Sequence, residues 1–506
     1  MPRQLPSKLR LAMAGAAGLV CVFGFAPFYL FPLPVISYLV LAAMLAAAPD
    51  AKRALATGYC FGLGYFLGGV SWVFVSLHVY GGMPFWMAGL ATLGFCAFLA
   101  LYPAFACWAG WRLGGQSPHA RYWLMAIGLA AMEWVRGWLF TGFPWFNPGY
   151  SQAPYSPLGG YAPLLGVYGI ALLVILTGFA LSSMLAKRAG VQRRAILAVL
   201  VVTVWGVGAA LNHIEWTQPL GEPTKVALIQ GNIEQDRKFL ESELVGTFIL
   251  YRDRMLASNA KLIVMPETAL PIFLHQIPKD YLLNYTLHAR SLGGDVVVGV
   301  PEYDEKTQQY YNSVISLGSS PTQRYRKSHL APFGEYIPLK PIFGVFYRWL
   351  NMPLSDFGRG DTHQKPMSVA GQKVAVNICY EDLFGEEIIR QVPESTLLLN
   401  VTNDAWWGRS FAAMQHLQIS QMRSMETGRA LLRVTNTGIT AIIDHKGLVA
   451  DNHQAPWFVQ TTLTGWVQGM TGNTPFTVYG NVPAILLMLG GIIAAVGYRL
   501  VSTRRH

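Results

Sequence analysis

Hydrophobic positions fall into two regimes along this chain. Long apolar runs occupy about residues 11–27, 30–48, 57–77, 84–111, 122–140, 162–186 and 194–212, and one more covers about 482–500. Several reach the roughly 20 residues that a helix needs to cross a bilayer, which predicts a multi-span α-helical membrane bundle of about eight transmembrane helices. From Thr224 the regime changes to short β-rich runs, Val226–Gln230, Leu262–Met265, Val296–Val300, Ser313–Leu317, Val374–Ile378, Leu397–Val401 and Thr440–Ile443, separated by polar, helix-compatible stretches. Such alternation predicts a layered α/β or α+β domain. The expected division is a bundle of about seven helices over residues 1–212, a folded domain over 213–481, and a last transmembrane helix with its tail over 482–506.

Composition agrees with the apolar runs: 52% of residues are hydrophobic, 13% are charged, and the mean hydropathy is +0.33. A wholly soluble enzyme of this length is excluded. The net charge of +11 does not point to nucleic acid, because the Lys and Arg residues are dispersed over short loops between apolar runs. Arg3, Lys8 and Arg10 precede the first run, Lys52 and Arg53 follow the second, Arg112 and Arg121 flank the loop after the fourth, and Lys187, Arg188, Arg193 and Arg194 follow the sixth. By the positive-inside rule these loops and the tail Arg499, Arg504 and Arg505 are cytoplasmic, which puts 213–481 on the opposite face. The first run is expected to stay attached, since Phe23-Gly-Phe-Ala-Pro27 leads into the next run without a small-residue cleavage site. Thr141-Gly-Phe-Pro-Trp-Phe-Asn-Pro-Gly-Tyr-Ser-Gln152 is rich in aromatics, Pro and Gly. It fits either part of a lipid-binding mouth or an interfacial belt with Trp145, Phe146 and Tyr150 at headgroup level. Glu133 and Arg136 are the main ionisable pair inside a span, and read as structural or as lining a lipid site.

Candidate chemistry concentrates in the second regime. Cys21, Cys60, Cys96 and Cys107 lie in apolar runs, leaving Cys379 without a disulfide partner in the polar half. Lys373-Val-Ala-Val-Asn-Ile-Cys-Tyr-Glu-Asp-Leu-Phe-Gly-Glu-Glu387 reads as a strand that ends at Cys379 and gives way to a helix. A helix N-terminus and the amides after the cysteine would lower its pKa and face a developing oxyanion. The same stretch also fits a small buried hydrophobe. Glu267 ends Lys261-Leu-Ile-Val-Met-Pro-Glu267, so a carboxylate sits at the mouth of a buried strand, where desolvation favours a base. Lys327 lies in Arg324-Tyr-Arg-Lys-Ser-His-Leu-Ala-Pro-Phe-Gly-Glu-Tyr-Ile-Pro338, too dense in charge, rings, Gly and Pro for a plain strand or helix. It fits either a working cation or a solvated patch with Arg324 and Arg326. The eleven histidines, His329 and His416 included, have no metal-ligand spacing, and neither a metal nor a cofactor is expected. Pro341-Ile-Phe-Gly-Val-Phe-Tyr-Arg-Trp-Leu-Asn-Met-Pro353 carries more apolar surface than a loop outside the bilayer normally exposes, and reads as a mobile arm or as a helix packed in the core.

Glu, Lys and Cys at strand ends, in that order, supply a base, a cation and a nucleophile. The blocks Met265-Pro-Glu-Thr-Ala-Leu-Pro271, Tyr325-Arg-Lys-Ser-His-Leu-Ala-Pro-Phe-Gly-Glu335 and Asn377-Ile-Cys-Tyr-Glu-Asp382 resemble the nitrilase superfamily. Phe143-Pro-Trp145, Gln230-Gly-Asn232, Thr402-Asn-Asp-Ala-Trp-Trp-Gly408, Arg433-Val-Thr-Asn-Thr-Gly-Ile439 and Gly472-Asn-Thr-Pro-Phe476 extend the resemblance over essentially the whole chain, to its membrane branch, the apolipoprotein N-acyltransferases.

That resemblance implies an αββα-sandwich domain on the bundle and transfer of an acyl chain from a phospholipid, through an enzyme thioester, to the N-terminal amine of a diacylglyceryl-cysteine on an apolipoprotein. It implies Glu267 as base, Lys327 as oxyanion donor and Cys379 as nucleophile, with Tyr380 N–H as a second donor. Glu335 is expected to position or relay a proton, and Glu381 to partner a cation or form a structural salt bridge. Trp145, Phe239, Phe346, Trp349 and Trp406 are the candidates for substrate contact. Phe239, in Gln235-Asp-Arg-Lys-Phe239, departs from the tryptophan often found there, which removes an indole N–H. The implied location is the bacterial inner membrane, with the catalytic domain periplasmic. A membrane-anchored amidase would use the same triad but need one anchor; a transporter or lipoprotein-binding module would need the spans but not the triad.

Overall fold

The computed structural model describes residues 6–187, 189–337 and 356–503. The chain divides into two compact units: Met1–Phe74, Trp86–Ile214 and Tyr479–His506 form the first, and Val75–Phe85 with Glu215–Val478 the second.

In the first unit each apolar run is helical. The helices are Ser7–Val20, Pro32–Ala46, Ala51–Val70, Phe85–Leu99 continuing through Leu101–Leu113, Pro118–Arg136, Ala162–Leu185, Val191–Leu211 and Val482–Thr503. Among the described residues, five are long and apolar enough to cross a membrane, and a sixth if Ala51–Val70 and the segment Val73–Tyr80, bent by 57°, count as one span. Pro32–Ala46 is shorter, and Pro118–Arg136 carries Arg121, Glu133 and Arg136, so length and composition do not establish the expected count of eight. Glycine lets backbones approach: a Cβ on Gly18 would meet Phe61 O at 2.0 Å, and one on Gly64 would meet Gly15 O at 2.1 Å.

The loop after Pro118–Arg136 disagrees with the interfacial-belt alternative. Trp145, Phe146 and Tyr150 are each 1% exposed. Arg136 is fully buried beside Glu133; its Nη1 donates to Trp145 O at 2.9 Å and also bonds Phe143 O. Asn147 Nδ2 donates to Glu133 Oε2 at 3.1 Å, and the Phe146 ring stacks on Phe25 at 3.8 Å. A buried ion pair must find partners for its remaining donors and acceptors. The loop supplies them through main-chain carbonyls and the Asn147 side chain, and its rings turn inward, leaving Trp145 buried.

The second unit carries the strands β1 (Gln218–Pro219), β2 (Thr224–Gln230), β3 (Leu262–Val264), β4 (Asp295–Asp304), β5 (Gln309–Gly318), β6 (Arg324–Arg326) and β7 (Met367–Val369). They are followed by β8 (Gln372–Ile378), β9 (Leu397–Thr402), β10 (Leu431–Thr435), β11 (Ala441–Ile443), β12 (Thr461–Val467) and β13 (Met470–Thr471). One sheet has the order β12-β2-β3-β4-β5-β6, a second has β11-β10-β9-β8-β7, and β1 pairs with β13. Side-chain alternation builds the layers. Val226, Leu228, Leu262 and Val264 of the first sheet share a core with Val374, Val376, Leu399 and Val401 of the second. The opposite positions Ala227, Ile229 and Ile263 pack with Tyr251 and Tyr285 of the helices Glu241–Leu256 and Lys279–Ser291, and Ala375, Leu398 and Leu431 pack with Leu417 of the helix Ala412–Thr427. The result is a helix–sheet–sheet–helix sandwich.

The stretch read as too irregular for a strand contains β6, an edge strand paired antiparallel with β5. Its alternation separates neighbours of like charge: Arg324 and Arg326 pair with Glu302 at 3.2 and 3.1 Å, while Tyr325 and Lys327 are buried on the other face. The strands β6, β7, β10 and β12 escaped the hydrophobic pattern because they are short or interleave polar side chains.

Arg136→Met should leave Glu133 buried without its cation, which costs about 3–5 kcal/mol. A large fall in the thermal unfolding midpoint of the solubilised protein is expected, against little change for Leu185→Ala at a 71% exposed position.

Candidate active site

Strand direction gathers the candidate residues. β3 and β4 are parallel, β5 reverses, and β6 reverses again, so β3 and β6 end at the same edge of their sheet. The chain leaving β3 delivers Glu267, the residue after β6 is Lys327, and the residue after β8 is Cys379.

Lys327 is 1% exposed. Its Nζ lies 2.8 Å from Glu335 Oε2, 2.9 Å from Glu335 Oε1 and 3.7 Å from Glu267 Oε1. Burial would lower its pKa, but the charges of Glu335 and Glu267 outweigh it and hold the ammonium well above its ordinary value. The solvated-patch reading of Lys327 is therefore excluded. Asn312 on β5, which the hydrophobic pattern did not single out, donates through Nδ2 to Glu267 Oε1 at 2.6 Å and to Glu335 Oε1 at 3.0 Å. Ala331 N holds Glu335 Oε2 at 2.8 Å. Lys238 was also passed over: it is buried, and its Nζ donates to Glu267 O at 3.1 Å. The available signal was polarity in inward-facing positions, which spacing alone does not expose.

Cys379 is partly buried, with φ at 53°, a left-handed conformation that sets the residue apart from the strand it ends. A 3-10 turn, Cys379–Leu383, follows rather than a long helix. The thiol pKa is raised, not lowered as the strand-to-helix reading expected. Burial is the main cause and the Glu267 charge adds to it, while Lys327 and a hydrogen bond with the Thr402 side chain pull the other way. A five-residue turn has too little dipole to oppose desolvation. At neutral pH Cys379 is thus held as a thiol rather than a thiolate.

Glu381 is 2% exposed, and its oxygens gather donors from two strands. Oε1 accepts from Ser328 N at 2.6 Å, Ser328 Oγ at 2.9 Å and His329 N at 3.0 Å, while Oε2 accepts from Tyr325 OH at 2.9 Å and Ile378 N at 2.7 Å. Glu381 straps the Lys327 segment to the strand bearing Cys379, and the Lys327 charge also acts on it through space. Tyr380 is buried, its ring 5.3 Å from Phe384 and 5.8 Å from His329. Beneath Cys379, Asn400 Nδ2 donates to Cys379 O at 3.3 Å, and Arg433 joins Asn400 at 2.9 Å to Asp404 at 2.8 Å. His416 sits 3.2 Å from Asp404, its pKa lowered by burial and then by Arg433.

Of the aromatic candidates, Phe239 is partly buried beside Lys238 in the sequence. Trp406 belongs to the same unit as Val75–Phe85: Ser76 Oγ donates to Trp406 O at 2.8 Å, and the Tyr80 ring lies 6.3 Å from that of Trp406. Phe346 and Trp349, with the proposed arm, lie outside the described residues.

A two-sheet sandwich with Glu, Lys and Cys at its strand ends is the arrangement of a carbon–nitrogen hydrolase domain, and residues 225–476 match the family model described as carbon-nitrogen hydrolase. Residues 17–180 match the apolipoprotein N-acyltransferase N-terminal domain. A Nitrosomonas europaea protein named apolipoprotein N-acyltransferase is 48% identical over 502 residues, covering 97% of this chain and 98% of the relative. Relatives of the same name from Chromobacterium violaceum and Methylococcus capsulatus are each 43% identical, with coverage of 94% of this chain and 91% of the relative, and of 98% and 96%, respectively. The chain belongs to the apolipoprotein N-acyltransferase family.

Because the thiol is raised, alkylation of Cys379 by iodoacetamide should keep increasing above pH 9, and Lys327→Met should slow it further by removing the charge that favours thiolate. Labelling is followed by mass spectrometry of the peptide holding Cys379. A plateau near pH 9, the ordinary thiol range, would contradict the raised value.

Proposed function

We propose that this chain transfers an acyl group from a phospholipid, through a thioester on Cys379, to the N-terminal amine of a diacylglyceryl-cysteine on an apolipoprotein. Lipoprotein acylation is the activity of its family. The observation that carries it is the meeting of a raised thiol, a buried carboxylate and a buried ammonium at one set of strand ends.

Glu267 takes the Cys379 proton, and the thiolate attacks the donor ester carbonyl. Negative charge on the tetrahedral oxygen is met by Lys327 Nζ and the Tyr380 N–H. Collapse breaks the ester C–O bond, and the leaving oxygen takes the proton from Glu267 to depart as lysophospholipid. The acceptor amine then attacks the thioester carbonyl and passes its proton to Glu267. Collapse releases the sulfur, which recovers that proton, and the amide product leaves. Kinetics are ping-pong. Glu335 and Asn312 hold Lys327 and Glu267 in register, and Glu381 fixes the distance between the Lys327 and Cys379 segments.

The charge pattern of the loops supports an inner-membrane location with residues 213–481 on the periplasmic side. Phe239 and Trp406 remain the substrate-contact candidates within the described part of this unit. An amidase using water would share the triad but would form no stable adduct with phospholipid.

Incubation with labelled phospholipid should add one acyl group to the wild-type mass and release lysophospholipid without any acceptor, whereas Cys379→Ala should fold and gain none. Adducts that persist in Cys379→Ala would remove Cys379 from the role. Lys327→Met should slow acylation by about two orders of magnitude, the loss typical of one oxyanion donor. Lys327→Arg should also be slow, because a planar guanidinium does not replace a single close donor; wild-type rates there would indicate a diffuse electrostatic role.

A further inference from the structure

A second buried lysine is held against the Glu267 main chain and feels the charges of the same carboxylate and thiol. Lys238 is 2% exposed, and its ammonium donates to the main-chain oxygen of Glu267 at 3.1 Å. Its loop is pinned by side chains. Asn403 Nδ2 donates to Gln235 Oε1 at 2.6 Å, Asn436 Nδ2 donates to Asn403 Oδ1 at 3.0 Å, and Asn232 N donates to Asn436 O at 2.8 Å. Glu234, Asp236 and Arg237 of the same loop turn to solvent, so Lys238 is the charged side chain the loop turns inward.

The charged and titratable groups that act on Lys238 are the Glu267 carboxylate and the Cys379 thiol. Lys327 pairs with Glu267 and acts on Cys379, Asp404 also acts on Cys379, and Lys327 is itself paired with Glu335. With Lys238 protonated, the charges of Glu267, Glu335, Lys327 and Lys238 cancel around a neutral thiol. Without that proton the group carries an excess negative charge, which opposes thiolate formation.

We propose that Lys238 is a second working cation of the site, a positioning residue that holds the Glu267 peptide in register and favours the Cys379 thiolate during acylation. This rests on the reading of Cys379 as nucleophile. Burial pushes the Lys238 ammonium down to about 8, so its charge is present at neutral pH and is lost as pH rises through that value.

The test is the rate of acyl-enzyme formation with labelled phospholipid, read by intact mass across the pH range, for wild type, Lys238→Met and Lys238→Arg. The ratio of two rates cancels pH effects common to both proteins. Lys238→Met should be slower than wild type on the order of tenfold at neutral pH, the equivalent of one pKa unit. That ratio should shrink towards one as pH rises through about 8. Lys238→Arg keeps its charge, so wild type should fall relative to it over the same interval. A ratio independent of pH would mark a merely structural lysine, and Lys238→Met acylating at the wild-type rate would equally overturn the proposal. If Lys238→Met fails to fold, the Lys238→Arg ratio decides by the same criterion. Wild type that gains no acyl group would instead overturn the reading of Cys379.

Discussion

Keeping a cluster of carboxylates and ammonium groups ionised away from water is the constraint on which the catalytic unit depends. An isolated buried ion costs several kcal/mol, so each must meet an opposite charge and have its remaining lone pairs or protons occupied. Lys327 meets both Glu335 oxygens and, at longer range, Glu267, while the Asn312 amide bridges the two carboxylates. This arrangement also sets the register of an edge strand. Moving β6 by one residue would turn Lys327 outward and bring Arg326, now satisfied by Glu302 and Asp304, into the interior.

The same exclusion of water has two opposed consequences for the chemistry. It strengthens the field of Lys327, where the proposed mechanism puts an oxyanion, and it raises the thiol that this mechanism would ionise first. In the proposed reaction a neighbouring base resolves the conflict, since transfer of the proton from Cys379 to Glu267 would leave the net charge of the group unchanged. Rigidity then matters more than a lowered thiol pKa. Glu381 supplies it by joining Ser328, His329 and Tyr325 of one sheet's segment to Ile378 of the other.

The membrane unit meets the same problem with a different result. Glu133 and Arg136 are buried, and the loop that follows folds back to supply carbonyls and an amide. Aromatic side chains whose composition fits an interface or a lipid mouth alike are therefore packed inside, as the stack of Phe146 on Phe25 shows. Local composition cannot distinguish an exposed tryptophan from one buried by a neighbouring charge's need for partners.

Much of the architecture was legible because it follows from local periodicity. Long apolar runs have few alternatives to helices, and the runs of β2, β4, β5, β8 and β9 stand out between polar stretches. Glu267 and Cys379 stood out as candidates at the ends of apolar runs, and Lys327 only through three blocks of residues in a specific order. Asn312 and Lys238 were not, because their importance lies in which distant atoms they face: Asn312 is 45 residues from Glu267. Glu381 was visible, but the donors it gathers were not, since a carboxylate's partners are chosen by strand placement and not by neighbouring sequence. Cys379 shows the division most clearly. Its position at a strand end is a property of the local pattern, but whether its thiol is lowered or raised depends on burial and on charges brought from other strands, which are properties of the folded sandwich alone.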